Sequence, residues 1–170
     1  MDTNLARTEK RDPFVQAGWP GLRARLFHTL FLLRRPMTLG VRGLILDRNL
    51  EQVFLIRHTY VPGWQLPGGG VEPGETMREA LERELFEEGN IRLTAEPELR
   101  SLHFNRQASR RDHVALYVVT SFEQDKPKQP DREIAEGRFF PFEALPELTT
   151  PATRRRLAEN VGVAPVSDYW

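Results

Sequence analysis

Between Gly68 and Ile91 the chain reads GGGVEPGETMREALERELFEEGNI, a stretch that constrains the fold more than any other because it sets three carboxylates on a helix face that packing should bury. A helix is predicted to start just after Thr76, whose hydroxyl forms a T-x-x-E capping box with Glu79. At 3.6 residues per turn, Met77, Ala80, Leu81 and Leu85 make one apolar stripe. Glu84 and Glu88 point along that stripe and Glu87 sits at its edge, as neighbours at i, i+3 and i+4. Like charges held together beside a packed surface repel and lose hydration, so uncompensated they would protonate. A hard divalent cation removes both penalties. Carboxylate oxygens suit Mg²⁺ or Mn²⁺, and Mg²⁺ commonly shares its sphere with waters and substrate phosphates. Most Glu-rich helices are merely solvated acidic faces, but here the coincidence with the apolar stripe argues against that reading.

Just ahead of the helix, Leu66-Pro67-Gly68-Gly69-Gly70 follows an apolar strand. Three glycines let backbone approach a ligand or ion where side chains would prevent it. A glycine run alone would be an ordinary tight turn; at fixed distance from the carboxylate helix it is half of a site.

The combined segment resembles the Nudix box, written G-x5-E-x7-R-E-U-x-E-E-x-G-U with U aliphatic. Gly69, Glu75, Arg83, Glu84, Leu85, Glu87, Glu88 and Ile91 fill eight of its nine specified positions. The departure is Asn90 where the pattern has its last glycine, with Gly89 one place early. Asparagine tolerates the left-handed conformation that ends a helix, so the departure bears on the helix end more than on the chemistry. Weaker similarity, GWQLPGGGVEPGE before and GRFFPFEALPEL after, extends the resemblance over about residues 38 to 148.

The resemblance implies an α/β/α sandwich with a mixed sheet between helices. It also implies a divalent-metal-dependent hydrolase cleaving the diphosphate linkage of a nucleoside diphosphate joined to another moiety. Glu84, Glu87 and Glu88 would ligate Mg²⁺ or Mn²⁺, with the Gly68 carbonyl as a further oxygen ligand. Glu75 and Arg83 match positions that pair in the family and hold the helix against the glycine loop, which makes Arg83 an orienting residue. A general base or extra ligand often lies outside the box, and Glu133 and Glu136, before the last strand, are the candidates, with Asp112 weaker. A different class of reading is a non-catalytic nucleotide-binding regulatory module on the same fold.

Binding groups are more diffuse. Arg106, Arg110 and Arg111 cluster in FNRQASRRDH, where guanidinium forks would suit phosphates. Trp64 and Phe104 could stack on a base, although aromatics near strand ends are more often core. His58 and His113 could touch phosphate or simply satisfy backbone groups. The marks of ADP-ribose and dinucleoside polyphosphate hydrolases are missing from Asn105 to Ala108, where the family carries them, so the substrate stays open among triphosphates, nucleotide sugars and capped RNA.

The remaining sequence organises around this centre. With 170 residues one domain is expected over 38–170, preceded by an extension, 1–37. Within that extension Leu22, Leu26, Leu30 and Leu33 share one side of an amphipathic basic helix with Arg23, Arg25 and Arg34, a candidate homodimer surface. Strands are expected at Leu39–Asp47 and Gln52–His58, joined as a hairpin, then at Leu99–Phe104, His113–Phe122 and Arg138–Phe142, with a terminal helix at Pro151–Asn160. Basic and acidic residues balance at 24 each, so no global field draws long nucleic acid or membrane. Cysteine is absent, excluding disulfides and thiol catalysis and fitting a cytoplasmic setting. The apolar run Leu30–Leu33 is too short to span a bilayer.

Overall fold

A computed structural model describes residues 36–47, 49 and 51–170, which include the compact unit Met37–Trp170. The expected basic helix of the extension, and the dimer surface assigned to it, lie outside the described residues.

Among the described residues, eight strands and two α-helices follow in the order β1 (Thr38–Ile45), β2 (Gln52–His58), β3 (Trp64–Gln65), α1 (Met77–Gly89), β4 (Arg92–Leu93), β5 (Glu98–Phe104), β6 (Asp112–Val119), β7 (Phe122–Glu123), β8 (Ile134–Pro141) and α2 (Pro151–Asn160). The strands form a mixed sheet β1-β6-β5, in which β1 runs parallel to β6, and an antiparallel sheet β3-β2-β8. A short β4-β7 pair adds a third ribbon.

Alternation along the strands sorts their side chains into two cores. Val41 and Ile45 of β1, Phe54 and Ile56 of β2, and Ala115, Tyr117 and Val119 of β6 pack against Ala80, Leu81 and Leu85 of α1. Their neighbours Leu44, Val53, Leu55 and Leu116 point the other way, where Leu157 of α2 covers them. A helix on each side of the strands makes this an α/β/α sandwich. Close approach of α1 depends on Gly43, where an added Cβ would sit 2.9 Å from Leu85 Cδ2.

The hairpin expected between β1 and β2 is only begun. Leu46 bridges Val53 and the Asp47 amide donates to the Gln52 carbonyl at 3.0 Å, after which the strands diverge into separate sheets. The glycine loop takes the vacated edge of β1. Val41 N–H donates to Gly69 O and Gly43 N–H to Pro67 O, both at 2.9 Å, while Val71 N–H donates to Leu39 O at 2.8 Å. Backbone valences that a regular hairpin would have used thus pin the loop beside α1. Gly68, at φ +134°, makes the turn, and a Cβ there would collide with the Val41 carbonyl.

The last strand starts at Ile134 rather than Arg138, because Ile134 is itself core while Gly137 interrupts the apolar run that marks a strand in sequence. A bulge at Ala135 shifts its register, pairing Arg57 with Glu136 but His58 with Ile134. After α2 the chain returns to β5, with Phe104 N–H donating to Asp168 O at 2.7 Å and Trp170 N–H to Phe104 O at 3.1 Å.

Candidate metal centre

The capping box opens α1 as the sequence suggests: Thr76 Oγ1 accepts from Glu79 N and Glu79 Oε2 accepts from Thr76 N. Asn90 ends the helix in the left-handed region at φ 54°, and its side chain donates to Lys126 O. Gly89 serves a different need, since a Cβ there would lie 3.0 Å from Ile91 and 3.1 Å from Phe54. Packing demands glycine at 89 while the turn tolerates asparagine at 90.

Helical spacing then delivers the carboxylates. Glu88 is 5% exposed, Glu84 half-buried and Glu87 exposed at the rim. Together with Glu133, Lys128 and Asp131 they line a cleft of about 450 Å³. Lys128 is already paired, its Nζ lying 2.6 Å from Asp131 Oδ2. The cleft therefore gathers four glutamates with no free lysine, Arg83 pairing with Glu84 at 2.7 Å and Glu87 at 3.5 Å. Asp131 also accepts from the amides of Glu133 and Ile134, and these bonds with Lys128 pull its carboxyl down to about 2.

Glu88 carries the strongest electrostatic signature. Burial pushes its carboxyl up to about 8, against the opposing pull of the Gly68 amide, which donates to Oε2 at 2.6 Å, and of Arg42. Its other oxygen, Oε1, lies 3.5 Å from His58 Nε2. Burial, then the nearby Arg42 guanidinium, lowers the His58 pKa, leaving the imidazole neutral. Nδ1 of that ring is buried without a hydrogen-bond partner.

Arg83 sets the frame. Its Nε and Nη2 engage both oxygens of Glu75 at 2.9 and 3.1 Å, Nη1 donates to Glu84 Oε1 at 2.7 Å, and Nη2 reaches Gly70 O at 3.0 Å. One guanidinium fork thereby ties helix, loop and Glu84 together. Gly69 completes the fit, since a Cβ there would collide with the Glu84 carboxylate. Pro67 O and Gly69 O are used by β1 and Gly70 O by Arg83, whereas among the described residues no donor pairs with Gly68 O. These features suit a divalent cation: crowded carboxylates, one of them nearly dry, a buried imidazole beside it, and a loop in which only glycine fits.

The other expected residues are distributed differently. Glu133 lines the cleft and accepts from Tyr60 Oη at 3.0 Å. Glu136 does not: it shares the face of β8 that carries Arg138 and Phe140, and pairs with Arg57 at 3.5 Å and Arg138 at 3.1 Å. Glu133 precedes β8 and lines the cleft, whereas Glu136 lies within the strand, opposite Arg57. Trp64 is core rather than a stacking platform, 7% exposed and edge-on to Phe140 at 4.7 Å. Arg106 lies over the Tyr169 ring at 4.9 Å, and Arg110 and Arg111 are exposed in the β5–β6 turn, away from the carboxylate cleft. His113 packs against Phe104 at 5.4 Å. Asp112 accepts from Thr38 Oγ1 and Asn105 Nδ2, and lines a smaller hollow of about 250 Å³ with Arg42, Gly70 and Trp170. His58, open in sequence between phosphate contact and a structural role, lies on the face of β2 that carries Phe54 and Ile56, towards α1.

The raised Glu88 pKa has a measurable consequence. An unfolded glutamate near 4.5 releases a proton that the folded, metal-free site retains to about 8. The stabilisation from this group is therefore complete below about pH 4.5 and lost as pH rises through about 8. Chelated protein is expected to lose melting temperature across that window, with Glu88→Gln flattening the slope. Parallel melting curves for the two proteins would remove the assignment.

The NUDIX domain family matches residues 36–165. Over 51 residues the chain is 43% identical to a candidate 8-oxo-dGTP diphosphatase of Bacillus subtilis (strain 168), covering 30% of this chain and 34% of that protein. Over 64 residues it is 39% identical to an RNA pyrophosphohydrolase of Coxiella burnetii (strain RSA 493 / Nine Mile phase I), covering 38% and 28% respectively. The matches thus span about a third of these relatives' length. A crystal structure of a MutT NUDIX hydrolase from Burkholderia pseudomallei superposes with a TM-score of 0.60 at 25% identity, covering 71% of this chain and 95% of that one. With the family matched over most of its length and the box residues assembled around one cleft, the chain belongs to the NUDIX domain family.

Proposed function

We propose that this protein is a divalent-metal-dependent hydrolase that cleaves a phosphoric anhydride of a nucleotide or nucleotide derivative. The convergence of Glu84, Glu87, Glu88 and Glu133 on one cleft, whose only lysine is already paired, is the observation that carries this reading. When bound, divalent ions neutralise non-bridging phosphate oxygens, acidify a water and stabilise the departing phosphate. Glu84, Glu87 and Glu88 would hold the ions, with the Gly68 carbonyl as a neutral oxygen donor. Gly68 N–H fixes the Glu88 carboxylate by direct donation, and Arg83 fixes Glu84 while itself clamped by Glu75. Glu133, oriented by the Tyr60 hydroxyl, would add a carboxylate from outside α1 to the groups that hold an ion.

The relatives' names concern an oxidised deoxynucleoside triphosphate and an RNA, which share a phosphoric anhydride on a nucleoside 5′ carbon. That shared linkage defines the substrate class. The hollow beside Asp112 and Trp170, separated from the carboxylates by the glycine loop, is a suitable seat for the nucleoside. Turnover with Mg²⁺ or Mn²⁺ should be sought across nucleoside triphosphates, ADP-ribose, nucleotide sugars, dinucleoside polyphosphates and 5′-triphosphorylated RNA. A substrate hydrolysed by the native protein, and lost on chelation, would support the reading; activity surviving exhaustive chelation would overturn it. Among the described residues no helix is long and apolar enough to cross a membrane.

A further inference from the structure

Resting on the metal-dependent reading above, we propose that His58 supplies a nitrogen ligand to the ion held by Glu88 and Glu133, a mixed set that favours a first-row transition ion such as Mn²⁺ over Mg²⁺. Three separate elements bring these groups together: the end of β2, the last turn of α1 and the residue preceding β8. One ring nitrogen of His58 and one oxygen from each glutamate lie within 4.8 Å of one another. Ligand atoms on one ion, at bonds of about 2.1 Å, stand roughly 3 to 4 Å apart, so small side-chain movements close the set.

The surroundings favour ligation over packing for this imidazole. His58 is 8% exposed, Nδ1 has no hydrogen bond of good geometry, and Nε2 has only its 3.5 Å approach to Glu88. Nε2, the nitrogen nearest Glu88, is therefore the one open to an ion. Glu88 is held so that this engagement is available: the Gly68 amide occupies Oε2, which leaves Oε1 as the oxygen nearest the ring. Tyr60 restrains Glu133 by donating to its Oε1 at 3.0 Å. Imidazole suits transition ions, whereas Mg²⁺ prefers an all-oxygen sphere with several waters. An all-carboxylate site would show no such bias.

The test uses the full, tag-free chain stripped of metal and titrated with Mn²⁺, without substrate, by electron paramagnetic resonance. Bound Mn²⁺ is expected to show ¹⁴N coupling from one imidazole, abolished in His58→Gln. Mn²⁺ affinity should fall by about 10- to 100-fold in that variant, with a smaller loss for Mg²⁺ measured by competition. Bound Mn²⁺ without nitrogen coupling in the native protein, or coupling that persists in the variant, would overturn the role of His58 while sparing the carboxylate centre. No saturable Mn²⁺ binding at all would instead overturn the metal-dependent reading on which it rests. Because native protein alone gives the coupling, a variant that failed to fold would not blunt the test.

Discussion

Glu88→Gln is expected to leave a folded protein with turnover lowered by roughly a thousandfold. Glutamine keeps the side chain's shape and an oxygen to accept the Gly68 amide, so the 2.6 Å bond to the loop survives. What disappears is the negative charge at the driest point of the cleft. Metal-held charge stabilisation contributes several kcal/mol to phosphate chemistry, and each ~1.4 kcal/mol is tenfold in rate, so losing one ligand's share gives that order of effect. Stability should move the opposite way. A carboxylate pushed up to about 8 by burial destabilises the metal-free fold once ionised, and the amide carries no such cost. Low activity combined with a raised melting temperature above about pH 8, without metal, is the signature expected of a charge retained for chemistry. Turnover within a few-fold of the native protein would remove Glu88 from the centre. Loss of both activity and stability would make it a packing residue instead.

The sequence made the helix and its carboxylate face legible because both are local. Thr76, Glu79 and the stripe through Leu85 specify where α1 begins and which face it buries, and Glu88 follows from the same periodicity. Gly68 and Gly69 are also readable as close-approach positions, though not what they approach: the Val41 carbonyl and the Glu84 carboxylate come from β1 and α1. Nonlocal pairing hides the rest. The β1–β2 hairpin diverges because the glycine loop competes for the same edge, and no turn residue records that competition. Glu133 and Glu136 look equivalent until β8 is seen to begin at Ile134, which leaves Glu133 ahead of the strand in the cleft and Glu136 within it beside Arg57 and Arg138. His58 comes within reach of Glu88 and Glu133 only once β2, α1 and β8 are assembled, and its sequence neighbours carry no hint of Glu88 thirty residues later. Trp64 follows the burial preference of its type over the pull of the adjacent glycine loop.

Arg156→Met is the substitution expected to cost the most stability away from the cleft. The guanidinium is fully buried, with Nη2 donating to Glu159 Oε1 at 2.6 Å, Nη1 donating to Tyr169 O at 3.2 Å and Nη1 lying 2.7 Å from His103 Nδ1. Glu159 Oε1 also accepts from Ser167 N, and the His103 ring contacts Ser167 O at 2.7 Å. A single buried cation therefore joins α2, β5 and the segment from Ser167 to Trp170, which returns along β5. Removing one partner of a buried pair strands the other, typically at about 3–5 kcal/mol, because the remaining charge loses compensation without regaining water. For a chain of this size that corresponds to a fall of roughly 10 °C in melting temperature. The centre is already imperfect, since Arg156 Nε and Glu159 Oε2 have no hydrogen-bond partner, so the pair as a whole contributes less than its disruption costs. Arg156→Met combined with Glu159→Leu should for that reason recover much of the loss. The expected result separates two architectures: if the double variant is no more stable than Arg156→Met, the ion pair is not the energetic link and packing of Trp170 against the guanidinium, 5.3 Å away, takes its place. Mn²⁺ binding at the carboxylate cleft should be unchanged in either variant, because that cleft is built from α1, the segment before β8 and the end of β2, and the Arg156 centre from α2 and β5.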